Sequence, residues 1–461
     1  MNPFVARSRL WFIASWALLS VWYFCHLILS GHWQDPPLPQ GDGPDYESIA
    51  FNLSRGNGYQ FSWNDADWQQ PYRSSRLASE YTQFERVDWP GPTASRPPWL
   101  PTSIALVYQF LPRGPIAFAA IRSVSALCMA LSGAIVVWLA FRVMLRFNDQ
   151  MPLMSWAPEL AAAITLVLAL LDRTLRTYNE DFLTEPWALL WVSLFAAIAM
   201  EGRINQSAWN FNTWWDVVVM GILMGFMILT RSIAIFWLPG IAGLLWLITR
   251  DHSRRQRWFA MGTFVVIALL VVSPWWIRNV SVLNAFMPLG GQGAASLLGG
   301  YCDEALADYG NWHPEPENRL QKEIDGLTRT RDWTQAEREV ELARRASAKT
   351  REWIERHWQD LPKLMVARVV THWGPFSGAS LLWRLGILIG GMALIALHRR
   401  EALCLVGLPL WSTLVVAFLY ETGGRFLVPF YGLLYLVAAI GVTFCLERLF
   451  RQFCPQSRGN R

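Results

Sequence analysis

Residues 10–30 read LWFIASWALLSVWYFCHLILS, a run of 21 residues without Asp, Glu, Lys or Arg. As a helix it would rise about 30 Å, the thickness of the hydrocarbon core of a bilayer. Arg7 and Arg9 precede it and the polar segment 31–40 follows. No small-x-small cleavage pattern lies between run and segment, so the run reads as a retained anchor rather than a removed leader. Further apolar stretches fall near 115–141, 159–172, 186–200, 216–230, 232–249, 259–276, 381–397, 402–420 and 425–446. Several are shorter than the ~20 residues a crossing needs, so neighbouring residues must extend them. The pattern predicts an all-α polytopic membrane protein with about ten transmembrane helices.

Composition points the same way. The chain is 53% hydrophobic and 16% charged, where soluble domains carry about 25% charged residues. A net charge of +5 would suit a nucleic-acid partner, but no polar segment presents a basic face with interleaved aromatics, which excludes that class. Membrane lipids are the surrounding partner. Trp33, Trp99, Trp187, Trp275 and Trp276 stand at the ends of apolar stretches, where an indole prefers the headgroup layer. The six cysteines show no CxxC or Cys/His spacing, so neither a disulfide framework nor a zinc site is expected.

Arginine counts orient the chain. With both termini cytoplasmic, the inner segments hold Arg7, Arg9, Arg142, Arg146, Arg203, Arg250, Arg254, Arg255, Arg257, Arg399, Arg400, Arg448, Arg451, Arg458 and Arg461. Opposed to these 15 arginines are five acids: Asp149, Glu201, Asp251, Glu401 and Glu447. Segment 31–114 reverses the balance, with nine acids to six arginines. It and segment 277–380 are predicted as two long, partly helical extracytoplasmic loops. In the second, Thr334 and Glu337 have capping-box spacing ahead of a charged helix. Trp353, Ile354, His357 and Trp358 would form one face of that helix.

The polar chemistry sits on the outer side. Residues 41–59 read GDGPDYESIAFNLSRGNGY. Pro44 suits a first helical turn capped by Asp42 or Gly43, with Gly56 or Gly58 ending the helix. Asp42, Asp45 and Glu47 then gather at a helix start, where they either serve chemistry or simply complement the helix dipole. At 94–108, ASRPPWLPTSIALVY sets Arg96 before a rigid proline entry. At 179–187, NEDFLTEPW places Glu180, Asp181 and Glu185 at another helix start. Arg231 in LTRSIAIFWLP, Arg278 in SPWWIRN and Arg425 in ETGGRFLVPF stand at outer ends against the positive-inside trend. Either they snorkel to headgroups or they hold a lipid phosphate through the guanidinium fork.

Taken in order from about residue 10 to 446, these motifs resemble the membrane glycosyltransferases of the GT-C superfamily. The likeness is to family 39, the dolichyl-phosphate-mannose protein mannosyltransferase and aminoarabinose lipid A transferase group, with its RgtA/B/C/D-like branch. The resemblance implies a single GT-C-like membrane domain over 1–461, with an extracytoplasmic site fed by a polyprenyl-phosphate-linked sugar donor. The acceptor would be a glycan, lipid or protein. By the same resemblance Asp42, which matches the family's D-x-x-x-Y pattern counted back from Tyr46, is the general base of an inverting transfer, with Asp45 as runner-up. Glu185 matches a second acidic position. Arg96, Arg278 and Arg425 match basic positions that neutralise the departing phosphate, and Arg231 joins them as an outer arginine. Tyr46 reads as a packing residue. Some enzymes of the superfamily use a divalent metal and others none, and no ligand cluster in this sequence decides between them. The first outer loop carries a longer insertion than the family's usual one, with Trp63, Trp68 and Trp89, suited to covering a sugar or to the acceptor.

Two other classes compete: a polytopic transporter or flippase, and a noncatalytic cell-envelope assembly scaffold. A transporter needs polar groups well inside the crossings. Most charges here lie at the ends, and Arg122 is the clearest deeper exception.

Overall fold

The computed structural model describes residues 3–453 except 40, 87–88, 151–153, 203–210, 375–378 and 398. Arg203, Arg458 and Arg461 of the inner set lie outside the described residues. The described residues form helices and no strand. Segment 31–114 follows α1 (Pro3–Ser30) and contains α2 (Gly43–Ser54), α3 (Ala66–Arg73) and α4 (Trp99–Phe110). The apolar series continues with α5 (Pro115–Gln150), α6 (Ala157–Leu171), α7 (Arg173–Asn179), α8 (Glu185–Glu201), α9 (Phe211–Thr230), α10 (Leu238–Ile248) and α11 (Arg254–Leu283). Segment 277–380 holds α12 (Gln292–Gly300), α13 (Asp303–Ala307), α14 (Glu315–Arg331), α15 (Gln335–Arg356) and α16 (Leu361–Trp373). The bundle closes with α17 (Ala379–Leu397), α18 (Arg399–Leu405), α19 (Gly407–Phe418) and α20 (Tyr431–Phe453).

Helix forms over each of the ten apolar stretches. Among the described residues six candidates are long and apolar enough to cross a membrane: Phe4–Ser30, Pro115–Phe147, Thr213–Thr230, Arg254–Leu283, Glu401–Phe418 and Val428–Phe453. Ala157–Leu171, Ser232–Ile248 and Leu381–Leu397 are apolar but shorter. Leu10, Ile13, Val21 and Leu29 of α1 and Val266, Leu270 and Ile277 of α11 are exposed. Such apolar ridges are what lipid tails would cover. By contrast α8 is buried around most of its circumference, the mark of a helix at the centre of a bundle.

Small residues let α17 and α20 meet backbone to backbone. A Cβ on Gly390 would stand 1.9 Å from the Val437 carbonyl oxygen, and one on Gly441 would meet the Gly386 carbonyl oxygen at 2.2 Å. The spacing Gly386-x-x-x-Gly390 is the small-residue seam of membrane helix pairs. At the other end of the bundle Arg142 and Arg146 bind Glu201, and Arg146 also reaches Glu401 at 2.9 Å. These pairs tie α5, α8 and α18 together.

The two long segments, 31–114 and 277–380, are joined to each other. The Glu339 carboxylate on α15 accepts hydrogen bonds from the Thr93 hydroxyl, the Ala94 amide at 2.9 Å and the Gln335 amide at 2.7 Å. Gln335 N donates to the Pro90 carbonyl at 2.9 Å. Thr334 and Glu337 form the expected capping box. Trp353 stacks on His357 at 4.6 Å and donates to Asp303 at 2.8 Å, whereas Trp358 is exposed.

Candidate functional site

The helix expected from residues 41–59 is α2, with Asp42 at its N-cap, Pro44 in the first turn and Gly56 just beyond its end at φ +77°. The Asp42 side chain makes no capping hydrogen bond. It turns away from its own helix amides, with one carboxylate oxygen 2.9 Å from Arg96 and the other 3.0 Å from Arg425. Gly43 makes room for a second acid: a Cβ there would stand 2.7 Å from a carboxylate oxygen of Asp181. Asp181 accepts from the Leu38 amide at 3.0 Å, and burial pushes its carboxyl up to about 6.

Asp42 is the middle of a chain of ion pairs that alternates in sign. Arg86 reaches Asp45 at 2.8 Å, and Asp45 binds Arg96. Arg96 then pairs with Asp42, Asp42 with Arg425, and Arg425 with Glu185. Glu185 ends the series on Arg231 at 2.8 Å. Four guanidinium groups thus enclose three carboxylates, leaving one positive charge over. Apart from Arg86, the members are largely buried. Only Asp42 and Arg425 keep about a quarter of their side-chain surface open, at 24% and 26%. Inward of Arg86, which is 45% exposed at the end of the series, a ligand meets these two. Burial alone would raise the Asp42 carboxyl, but Arg96 and Arg425 outweigh it and hold it well below the usual carboxylate range.

All but Glu185 of this chain line one cavity of ≈ 1040 Å³ between the two long segments and the bundle. Glu185 stands behind Arg231 and Arg425, wholly buried, with one carboxylate oxygen unpartnered. Ile233, Phe236, Leu419 and Phe426 supply an apolar side, while Glu317, Asn318 and Gln321 of α14 supply a polar one. Tyr46 is buried beside the cavity with the Arg96 guanidinium 5.3 Å above its ring. Of the insertion's tryptophans, Trp63 and Trp89 line the cavity and Trp68 does not.

Arg278 is set apart from Arg96, Arg231 and Arg425. It donates to the carbonyls of Thr93 at 2.6 Å and Tyr59 at 3.2 Å, and it is absent from the cavity wall. The Tyr59 hydroxyl in turn donates to the Arg96 carbonyl at 2.9 Å. Arg278 thus braces the strand of chain that carries Arg96. Arg122 has a comparable duty: its buried guanidinium donates to the carbonyls of Glu180, Trp33, Asp35 and Pro36. Arg122 thus pins the loop after α1.

Several residues at or behind the site carry no local sequence signal. Glu47, fully buried, accepts from Trp68 and Tyr72 at 2.7 Å, Tyr108 at 2.8 Å and Arg113 at 2.6 Å. It thereby sets the outer segment's aromatic core of Phe51, Trp63, Trp68, Tyr72 and Tyr81 against α4. Glu421 shapes the turn that delivers Arg425. Its carboxylate accepts the Thr422 and Gly424 amides at 2.7 and 2.8 Å and faces the buried His372 ring nitrogen at 2.5 Å.

Among the described residues no three His, Cys, Asp or Glu side chains gather as metal ligands. Asp42 and Asp45 are each bonded to two guanidinium groups, so this donor set suits an anion better than a cation.

No family model matches the chain, and no curated protein matches it. Solved structures of an archaeal oligosaccharyltransferase share its fold. The Archaeoglobus fulgidus oligosaccharyltransferase tethered with an acceptor peptide superposes with a TM-score of 0.53 at 13% identity, over 97% of this chain and 51% of that one. The same archaeal enzyme, AglB, in complex with an inhibitory peptide and a dolichol-phosphate gives 0.52 at 12% identity, over 98% and 52%. ArnT from Cupriavidus metallidurans bound to undecaprenyl phosphate gives 0.41 at 16% identity, over 97% and 80%. The chain spans about half the length of the oligosaccharyltransferase chains it matches.

Proposed function

We propose that this protein is a multi-pass membrane glycosyltransferase that moves a sugar from a polyprenyl-phosphate donor to a glycan, lipid or protein acceptor. The reaction takes place on the extracytoplasmic face. The observation that carries this reading is the alternating chain from Arg86 to Arg231, with its surplus cation and with Asp42 and Arg425, the most open members after Arg86, side by side. The fold shared with an oligosaccharyltransferase that holds a dolichol-phosphate supports it. So does the ten-crossing reading with both termini cytoplasmic, which puts Asp42, Asp45, Arg96, Glu185, Arg231 and Arg425 on one outer side.

As the chain stands, Asp42 is a poor base, because two guanidinium groups stabilise its charge. An arriving lipid phosphate competes for those same groups. Once Arg425 and Arg96 turn their forks to the phosphate, burial dominates at Asp42 and its proton affinity rises. Donor binding thus readies the base. The acceptor hydroxyl oxygen then bonds to the anomeric carbon from the face opposite the phosphate, and its proton passes to Asp42. The carbon–oxygen bond to the phosphate breaks, its electron pair leaves with the polyprenyl phosphate, and configuration inverts. Arg96, Arg231 and Arg425 neutralise the charge that appears on the departing group, Glu185 keeps Arg231 and Arg425 aimed, and Asp45 holds Arg96. Arg278 acts through the backbone it braces.

A ligand that binds only the folded protein stabilises it, by about 2.7 kcal/mol at a hundredfold excess over Kd. A polyprenyl monophosphate added to the purified protein is expected to raise its melting temperature, and the unphosphorylated polyprenol is not. Arg425→Lys keeps the charge but loses the fork, and its midpoint concentration for that shift should rise roughly tenfold. A shift equally large with the bare polyprenol, or one indifferent to Arg425→Lys, would remove the phosphate site.

A further inference from the structure

The cavity is larger than a phosphate site requires. At ≈ 1040 Å³ it lies at the top of the roughly 300–1,000 Å³ range of small-molecule pockets, and α14 forms part of its wall. On that helix Glu317 and Gln321 are four residues apart and so share a face. The Gln321 amide donates to one Glu317 oxygen at 2.9 Å.

Glu317 is held by fewer groups than Asp42, Asp45 and Glu339 of this wall, and by an amide where Asp325 has a cation. Asp42 and Asp45 are each held by two arginines, Asp325 by Arg338, and Glu339 by Thr93, Ala94 and Gln335. Among the described residues, Gln321 is the only hydrogen-bond partner of Glu317, and the second carboxyl oxygen remains for a ligand. Arg96, Arg86 and Asp42 act on it electrostatically across the cavity. Arg338 and Glu339 face the cavity from α15, and Glu315, Lys322 and Asp325 from its own helix. The helix α12, also packed on α14, contributes no charge.

We propose that Glu317, with Gln321 beside it, binds a hydroxyl group of a saccharide, either the donor's sugar or a glycan acceptor. This rests on the glycosyltransferase reading above. Burial, partly offset by Arg96, pushes the Glu317 carboxyl up to about 7. The ionised form accepts the stronger hydrogen bond from a hydroxyl. Saccharide affinity should therefore improve as pH rises from about 6 to 8.

The test is steady-state kinetics of the full-length protein in lipid nanodiscs, on a polyprenyl-phosphate sugar that the wild type consumes. Glu317→Gln and Gln321→Ala are compared with wild type at several pH values. Both variants are nearly isosteric or surface changes, and their melting temperatures check folding. Glu317→Gln is expected to raise a KM by roughly 3–10-fold with kcat little changed, and to flatten the fall of that KM between pH 6 and 8. If the affected KM is the donor's, seen also in its slow hydrolysis by water, the hydroxyl belongs to the donor sugar. If only the acceptor's KM moves, it belongs to a glycan acceptor. Unchanged KM values for both substrates, or a loss confined to kcat, overturn the subsite while leaving the parent reading intact. A wild type that consumes no polyprenyl-phosphate sugar overturns both.

Discussion

Replacing Asp42 by asparagine is expected to lower kcat for sugar transfer by roughly 10²- to 10⁴-fold, the usual contribution of a positioned general base. The same substitution should leave the KM for the donor unchanged or lower. Asparagine removes the charge that occupies Arg96 and Arg425, so both guanidinium groups become freer to take the phosphate. A residue needed only to shape the site would raise KM along with lowering kcat. Asp45→Asn is the control. It should act mainly on KM, because Asp45 holds Arg96 and Arg86 rather than the open centre of the chain. If Asp42→Asn keeps full kcat, and Asp45→Asn does too, neither carboxylate is the base.

The largest loss of stability is expected at Glu47, away from the chemistry. Glu47→Gln keeps the side chain's size but leaves the Arg113 guanidinium buried without its counter-charge. Breaking a buried pair in this way costs roughly 3–5 kcal/mol. The double variant with Arg113→Met should recover part of that loss, since it removes the stranded charge as well. Thermal unfolding of the purified variants measures both. The pH dependence has a definite sign. Burial would raise the Glu47 carboxyl, but Arg113 and the hydroxyls of Tyr72 and Tyr108 outweigh it, so the folded value lies below the ordinary one. The contribution is complete above the unfolded value of about 4.3 and is lost as pH falls through the lower folded value. A Glu47→Gln variant as stable as wild type near neutral pH would show that the aromatic core does not need the carboxylate.

How much of this was legible in the sequence divides along the range of the interactions. Helix α2 was, because its signals are local: a proline in the first turn, a polar cap, and glycine after the last turn. The capping box at Thr334 was legible for the same reason. The gathering of Asp42, Arg96, Glu185, Arg231 and Arg425 could be expected only from an outer placement common to all of them and from a resemblance carried by motif order. Their alternation could not, since each pair joins positions between 46 and 383 residues apart or sets partners by loop packing. Arg278 shows the limit of such reasoning. An arginine at an outer helix end looks the same in sequence whether it faces a cavity or a neighbouring carbonyl. Glu47 read as one more acid at a helix start, because Tyr72, Tyr108 and Arg113 reach it only once the outer segment folds back. The seam at Gly386, Gly390 and Gly441 was present as spacing, but what made it matter was the approach of α20.

The central claim is that the cavity at Asp42 and Arg425 cleaves a lipid-linked sugar. The most direct measurement offers purified protein in nanodiscs a panel of radiolabelled polyprenyl-phosphate sugars and follows release of polyprenyl phosphate together with the fate of the label. One donor should be consumed, with the label leaving the lipid, and the Asp42→Asn protein should bind that donor without consuming it. Consumption of none of the panel by wild type, or equal consumption by the Asp42→Asn protein, would contradict the account.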